Sequence, residues 1–212
     1  MTTEKMTIHK ALCELKTLDA RIKKGIESGA FVFANKHSVA KVSGLNISSY
    51  CAEIRSAYQS VTDLMVRRDA IKRAVVLSNA MTKVAVGGAE YTVAEAIEMK
   101  NHGIPLRHVL LNKLRTDNSR VRMEAEQANK SLDQRADEYI KTLYANADMK
   151  NLTEEIKRMR SEFVSSQTVE VIDPIGITSE IERLEASINS FMVEIDSALS
   201  VSNALTEITI EY

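Results

Sequence analysis

The sequence has few residues that interrupt regular structure. Its 212 residues include 7 glycines and 2 prolines, about 4% together, whereas an average protein has roughly 12%. Tryptophan is absent, and aromatic residues make up 5% of the chain. This composition excludes an all-β sandwich, a collagen-like chain and a disordered linker rich in proline and glycine. It favours helices that pack on helices through a thin aliphatic core.

Long apolar runs and an excess of one charge are also missing. The chain has 28 basic and 29 acidic residues, so its formal net charge is −1 and no global field attracts nucleic acid or an anionic membrane. Apolar runs such as 74–77 are far shorter than the roughly 20 residues that span a bilayer. The polar N-terminal stretch lacks the apolar core of a signal peptide. We therefore expect no membrane contact.

The two cysteines, Cys13 and Cys51, lie in helical patterns beside apolar residues. With no secretion signal, they indicate a reducing compartment, where cysteines behave as small buried side chains. A disulfide or a reactive thiol is the alternative.

Apolar residues at heptad spacing predict long helices. One column is Ile8, Leu15 and Ile22, and another is Ile47, Ile54 and Val61. Such helices need a partner along their length, because they far exceed the mean of about 11–12 residues. The pattern predicts helices at about 4–27, 46–79, 93–101, 105–144 and 152–163, a break at 146–151, and a last helix opened by a Ser179-x-x-Glu182 capping box.

Alternating residues predict short strands. Segments 83–86 and 89–92 flank Gly87-Gly88, and both glycines can adopt the positive φ of a tight hairpin turn. A Thr92-x-x-Glu95 capping box follows the hairpin. Further strands are expected at 31–35, 168–172 and 205–212, and the last of these is expected to pair with 83–86 or 168–172.

A short motif occurs twice, at a fixed offset of 124 positions: Ser78-Asn-Ala-Met-Thr82 and Ser202-Asn-Ala-Leu-Thr206. Each copy stands where a helix ends and a strand begins. We interpret the chain as two helix–strand–helix–strand units, 1–92 and 104–212, joined by a short helix at 93–103. Convergence of two unrelated helix ends is the alternative. The expected structural corner residues are Ser78, Asn79, Thr82, Ser202, Asn203 and Thr206, with the asparagine amides bonded to freed backbone groups.

The first motif, the hairpin and the following Tyr91-Thr-Val-Ala-Glu-Ala-Ile97 with Lys100 resemble septicolysin-like helical proteins. They are also similar to small helical structural proteins of tailed bacteriophages. The resemblance covers 71–111, and Met81 departs mildly from the two small residues usual in the motif. It implies a helical hairpin with a small sheet at one end and a bacterial or phage setting, and it implies no catalytic residue.

Candidate chemical sites are sparse. His9, His37, His102 and His108 lack the spacing of metal ligands, so no metal site is expected. Gly87-Gly88 lacks the lysine and hydroxyl residue of a phosphate loop, so no nucleotide cofactor is expected. We predict that the protein is not an enzyme and has no small-molecule substrate.

Basic residues cluster in two helices. Arg115, Arg120 and Arg122 are possible partner contacts on a long arm, but acidic neighbours and the lack of interleaved aromatic residues argue against nucleic acid. Salt-bridged, solvated helix faces are the alternative interpretation, and the acidic neighbours favour it over partner contact.

The sequence thus predicts a mainly α fold of long antiparallel, coiled-coil-like helical hairpins with a small antiparallel β-sheet at one end. Such a fold suits a non-enzymatic structural or assembly protein. We expect a bacteriophage virion component of the head, collar, tail or baseplate, assembled in the host cytoplasm, that contacts copies of itself or other virion proteins. The alternative is a soluble, cytoplasmic, septicolysin-like helical binding protein of bacterial origin.

Overall fold

A computed structural model describes residues 2–144 and 153–212 and confirms a mainly helical fold with small antiparallel sheets. The helices are α1 (Ile8–Ser28), α2 (Ile47–Met81), α3 (Val93–Glu98), α4 (Ile104–Asn129), α5 (Leu132–Leu143), α6 (Glu154–Gln167) and α7 (Ile177–Leu205). The strands are β1 (Thr3–Thr7), β2 (Lys41–Val42), β3 (Leu45–Asn46), β4 (Lys83–Val86), β5 (Ala89–Thr92) and β6 (Glu207–Glu211). They form separate two-stranded sheets, β1–β6, β2–β3 and β4–β5, where the sequence analysis expected a single sheet.

The chain divides into two compact units. The first consists of Met1–His102 and Ser190–Tyr212, and the second is Gly103–Asn189. This division differs from the predicted one at 92 and 104, because residues 190–205 of the last helix and the last strand belong with the N-terminal half of the chain. A π-helical turn, Met99–Gly103, stands where the sequence predicted a helix stop at His102-Gly103.

In the first unit, α1 packs against α2 through the predicted heptad positions. Ile8, Leu18 and Ile22 are buried, whereas Ile26 is largely exposed. The two helices approach closely at Gly25, where an added Cβ would lie 2.8 Å from a methyl group of Val61. The side chain of Asn46 caps α2 by accepting a hydrogen bond from the Ser49 amide at 2.8 Å.

Strand β1 is the largest difference from the expected fold. Thr3–Thr7 lies inside the predicted first helix, yet it pairs antiparallel with β6 in the register Thr3 to Glu211 and Thr7 to Glu207. The predicted pairing of the C-terminal strand with 83–86 or 168–172 is therefore wrong. The pairing places Met6, Ile208 and Ile210 on one buried face, which joins the core around α1 and α2.

Two other predicted strands are absent from the described part of the chain. Segment 31–35 has no strand partner, and its aromatic rings pack edge-on against α2, with Phe33 and Tyr50 centroids 4.9 Å apart. Segment 168–172 is irregular because the Asn129 side chain bonds both backbone groups of Val169, at 2.8 and 3.0 Å, in place of a strand. An unpredicted ribbon, β2–β3, turns at Ser43 and Gly44, both with positive φ.

The hairpin β4–β5 is confirmed, with Gly87 and Gly88 at φ of 59° and 76°. The Thr92–Glu95 capping box is also confirmed at the start of α3. The second predicted box is wrong, because α7 begins before Ser179. The carboxylate of Asp173 instead accepts hydrogen bonds from the Ile177 amide at 2.8 and 2.9 Å.

In the second unit, the predicted long helix 105–144 is two helices, α4 and α5, separated at Lys130-Ser131. Helices α5 and α6 pack together through stacked rings of Tyr139 and Phe163, whose centroids are 4.6 Å apart. Arg160 of α6 adds ion pairs to two carboxylates of α5, each at 2.8 Å. The predicted break at 146–151 lies outside the described residues.

The repeated motif ends two long helices, α2 and α7, and each of these is followed by a strand, β4 or β6. The burial classes of 71–86 and 195–210 agree at every position except Val75 and its equivalent Leu199. The two corners are therefore alike in structure over this stretch. Outside it the predicted units differ, because β1–β4 contains two helices whereas β5–β6 contains α3 to α7.

The two long helices exchange the strands that follow them. Strand β6 follows α7 in the chain but packs on α2, beside Ile71 and Val75. The hairpin follows α2 but packs on α7, where Tyr91 meets Phe191 edge-on with ring centroids 5.9 Å apart. Strand β6, which follows α7, therefore packs on α2, and the hairpin, which follows α2, packs on α7.

Candidate functional site

The predicted corner residues form two backbone turns of the same construction. The amide of Thr82 donates to the carbonyl of Ser78 at 2.8 Å, and the amide of Thr206 donates to that of Ser202 at 2.9 Å. Each bond closes the last turn of a helix whose terminal carbonyls would otherwise lack partners. The carbonyls of Thr82 and Thr206 each accept from the first amide of another helix, Val93 of α3 at 2.8 Å and Ile8 of α1 at 2.9 Å.

The corner asparagines do not act as expected. The side-chain amides of Asn79 and Asn203 bond none of residues 2–144 and 153–212, and both side chains are half-buried. The backbone bonds to Ser78 and Ser202 supply the closure that the amides were expected to provide. In the first corner, the Ser78 and Thr82 hydroxyls also lie 3.4 Å apart. The sequence motif therefore locates both corners correctly. The bonds that close them come from backbone groups and not from the asparagine side chains.

Each corner carries an exposed apolar face on the last turns of its helix. We define the first corner face as the exposed residues of α2 at Lys72, Arg73, Val76, Leu77, Ala80 and Met81. We define the second corner face as the equivalent residues of α7 at Asp196, Ser197, Ser200, Val201, Ala204 and Leu205. Leu77 and Val201 are 56% and 55% exposed, and Met81 and Leu205 are 77% and 76% exposed. Apolar side chains this exposed at matching positions mark a surface available for contact.

The hairpin turn is fixed to α7 by a side-chain bond. The amide of Gly87 donates to the Glu194 carboxylate at 2.7 Å. A Cβ on Gly87 would lie 3.3 Å from the backbone nitrogen of Phe191, whereas a Cβ on Gly88 would meet nothing within 4 Å. The positive φ at both positions favours glycine. At Gly87 the close approach to α7 also leaves little space for a side chain.

Replacing Gly87 with alanine is expected to lower the free energy of unfolding by about 2 kcal/mol, because strain at positive φ adds to the close contact with α7. Gly88→Ala is the matched control, since it introduces only the strain, of about 1 kcal/mol. Urea denaturation of both variants measures the difference. Equal losses would show that the turn does not press on α7.

A charged cluster joins the two terminal strands to α1 and α2. The Arg67 side chain, 20% exposed, donates to Glu14 at 2.5 Å and to Glu4 at 2.9 Å. It also donates to the Tyr212 hydroxyl, and its guanidinium carbon lies 4.8 Å from the centre of that ring. These bonds raise the pKa of Arg67, and the bond from Arg67 lowers the pKa of Glu4 below its ordinary value of 4.5. The cluster holds β1 and the end of β6 onto α2.

Acid is expected to weaken this cluster. Because the pKa of Glu4 is lower in the folded state than in the unfolded state, its contribution to stability is fully present above about pH 4.5. It is lost as the pH falls through the folded-state pKa. Thermal unfolding between pH 6 and pH 3 should show a smaller loss of stability in Glu4→Gln than in the parent. The same pH dependence in both proteins would contradict the assignment.

The three arginines predicted as possible partner contacts already have partners within the second unit. Arg115 pairs with Glu185 at 2.6 Å, and Arg120 pairs with Glu124 at 2.9 Å. Arg122 donates to the Asn118 side chain at 2.8 Å. These contacts match the alternative interpretation, a salt-bridged helix face.

Sites for chemistry are sparse in the described residues. Within 2–144 and 153–212, no group of three or more His, Cys, Asp or Glu side chains could hold a metal ion. Cys13 is exposed and Cys51 half-buried, both as free thiols, so the expectation that both are buried is wrong. Among the helices in these ranges, none has the length and apolarity needed to cross a bilayer. An open groove of about 580 Å³ runs between α1 and α2, lined in part by Arg21, Tyr50 and Glu53.

Known proteins add no information about the function of this chain, so function is inferred from the geometry above. No family model, no curated protein and no solved structure matched the chain.

Proposed function

We propose that this protein is a non-enzymatic structural protein that works in several copies, as a component of a bacteriophage virion. The observation that carries the proposal is the number of large apolar side chains that stay exposed to solvent on the folded helices. In α4, Leu106, Val109 and Met123 are 71%, 67% and 68% exposed. These residues would be covered by contact with another protein chain.

The helices of the second unit support the same proposal. Every residue of α6 keeps part of its surface exposed, and α4 buries only Ile104, Leu111 and Ala125. Helices in folded proteins gain most of their stability from packing an apolar face against other elements. A partner chain along α4 would supply packing that the unit itself gives to few of its residues.

Self-association is the test of this proposal. Sedimentation velocity over a concentration series should show oligomers, and Leu106→Asp with Val109→Asp should shift the protein toward monomer. Lys130→Asp, an exposed change at the other end of α4, is the control. A wild-type protein that stays monomeric at millimolar concentration, with no binding partner in the particle, would contradict the structural role.

The virion setting rests on the sequence resemblance over 71–111. That stretch contains the end of α2, the β4–β5 hairpin and the capped helix α3. Antibodies raised against the protein should label purified phage particles of the strain that encodes it. Labelling of the host cytoplasm alone would favour the alternative role.

That alternative, a bacterial helical binding protein, draws support from the groove between α1 and α2. The groove combines apolar residues such as Ile54 with the charged Arg21 and Glu53. A thermal-shift screen of bacterial metabolites tests it, with Ala57→Trp as the variant that fills the groove. A stabilising compound whose effect disappears in Ala57→Trp would favour a binding role over a structural one.

A further inference from the structure

The two corner faces carry opposite charge at equivalent positions of the repeat. Lys72 of the first face corresponds to Asp196 of the second, and Lys83 corresponds to Glu207. Arg73 adds a further positive charge to the first face, where the second has Ser197. The apolar parts of the faces remain alike, with Leu77, Ala80 and Met81 matching Val201, Ala204 and Leu205. The two faces therefore share an apolar centre and differ in charge, with basic residues on the first and acidic residues on the second or just beyond its end.

Three of these five charges have no ion-pair partner among the residues that the structure describes. Lys83 is bonded to Glu90 at 2.7 Å, and Asp196 is paired with Lys100. Lys72, Arg73 and Glu207, in contrast, form no ion pair with any other residue of 2–144 or 153–212. The unpaired charges thus lie at the start of the first face and just beyond the end of the second.

We propose that the first corner face of one copy binds the second corner face of another copy, with the two helices antiparallel. This inference rests on the proposed function, since it names the contact between copies. An antiparallel arrangement places Leu77 against Val201, and it brings Arg73 near Glu207. The two faces match in length, because each spans ten residues, about 14 Å at 1.5 Å per residue.

The contact joins two different surfaces, so it is heterologous. Each copy has one face of each kind, so a bound pair of copies leaves one first face and one second face free. Such a contact builds a ring when its rotation closes and a filament when it does not. Complementary charge also discourages the two like pairings, first face with first face and second with second.

Charge reversal tests the proposal. Arg73→Glu and Glu207→Arg should each raise the dissociation constant for self-association at least about tenfold, measured by sedimentation velocity. An equimolar mixture of the two variants should regain the wild-type affinity, because every contact between unlike variants is again between opposite charges. The double variant should regain it as well. Lys16→Glu, an exposed and unpaired charge on α1, is the control, and thermal melting confirms that each variant folds.

The outcomes separate this inference from the proposed function. Wild-type oligomers that are insensitive to both reversals would overturn the corner contact and leave the structural role standing. A wild-type protein that is monomeric under all conditions would overturn both. Loss of association in the single variants without recovery in the mixture would overturn the pairing of unlike faces. Binding of the faces only to a different protein would overturn the second copy as the occupant.

Discussion

Ile71→Ala and Ile195→Ala should each lower the free energy of unfolding by about 3–4 kcal/mol, the range for deleting a large aliphatic side chain from a packed core. Both isoleucines are fully buried. They stand at equivalent positions of the repeat, one on α2 and one on α7, so their losses should be similar. For a chain of this size the melting temperature should fall by about 10 °C.

The control for this pair is Val66→Ala, on the same helix as Ile71 but more than half exposed and outside the first corner face. Its effect on unfolding should stay within about 0.5 kcal/mol, as for most exposed positions. Differential scanning calorimetry of the three variants provides the comparison. A loss at Ile195 as small as that at Val66 would show that the core around α7 is not packed like the core around α2.

Arg67→Ala should destabilise the protein by about 2 kcal/mol, because it leaves the partly buried Glu14 without its cation and leaves Glu4 with only Lys10, at 3.5 Å. Glu14 has a side chain only 21% exposed, so water compensates it poorly. The variant also loses the contact with Tyr212 that secures the end of β6. Guanidinium denaturation measures the change.

Arg68→Ala is the matched control, since its side chain is more exposed and its partners, Asp19 and Asp69, lie at the surface. Exposed ion pairs contribute little to stability, so the change should be much smaller than at Arg67. The two variants share one sequence neighbourhood and remove the same charge. Equal effects would mean that Arg67 acts as a surface residue.

The sequence predicts those elements whose signals are local. Heptad spacing locates α1 and α2, and the Gly87-Gly88 pair locates the hairpin, because the residues that specify each feature lie within a few turns or strands of it. The capping box at Thr92 is equally local. These features follow from periodicity and turn chemistry, which need no knowledge of distant partners.

Strand β1 carries no comparable signal. It contains one buried apolar residue, Met6, and becomes a strand because β6 supplies the pairing from the other end of the chain. The reverse holds for segment 168–172, which has an alternating pattern but a side chain, Asn129, in place of a strand partner. In both cases a tertiary contact decides between conformations that the local pattern leaves close in free energy.

The corners illustrate what motif reasoning can find at a candidate site. The repeated Ser-Asn-Ala-x-Thr pattern marks where the two long helices end, but it does not show that the neighbouring Leu77 and Val201 are exposed. Exposure depends on which side of each helix the exchanged strands cover. Arg67 likewise belongs to a basic run in the sequence, and only the fold brings it to Glu4 and Tyr212.

The exchange of strands between α2 and α7 has a consequence for the order of folding. The hairpin joins residues a few positions apart, whereas the β1–β6 pairing joins Thr3 to Glu211 across nearly the whole chain. Closing the larger loop costs more conformational entropy, and contacts between distant residues form slowly. The hairpin itself can therefore form early, although its contact with α7 joins Gly87 to Glu194, 107 positions apart, whereas the cover of α2 needs the residues of β6. During synthesis on the ribosome, the apolar side of α2 around Ile71 would stay exposed until β6 has emerged. We expect chaperones to bind the chain mainly during that interval.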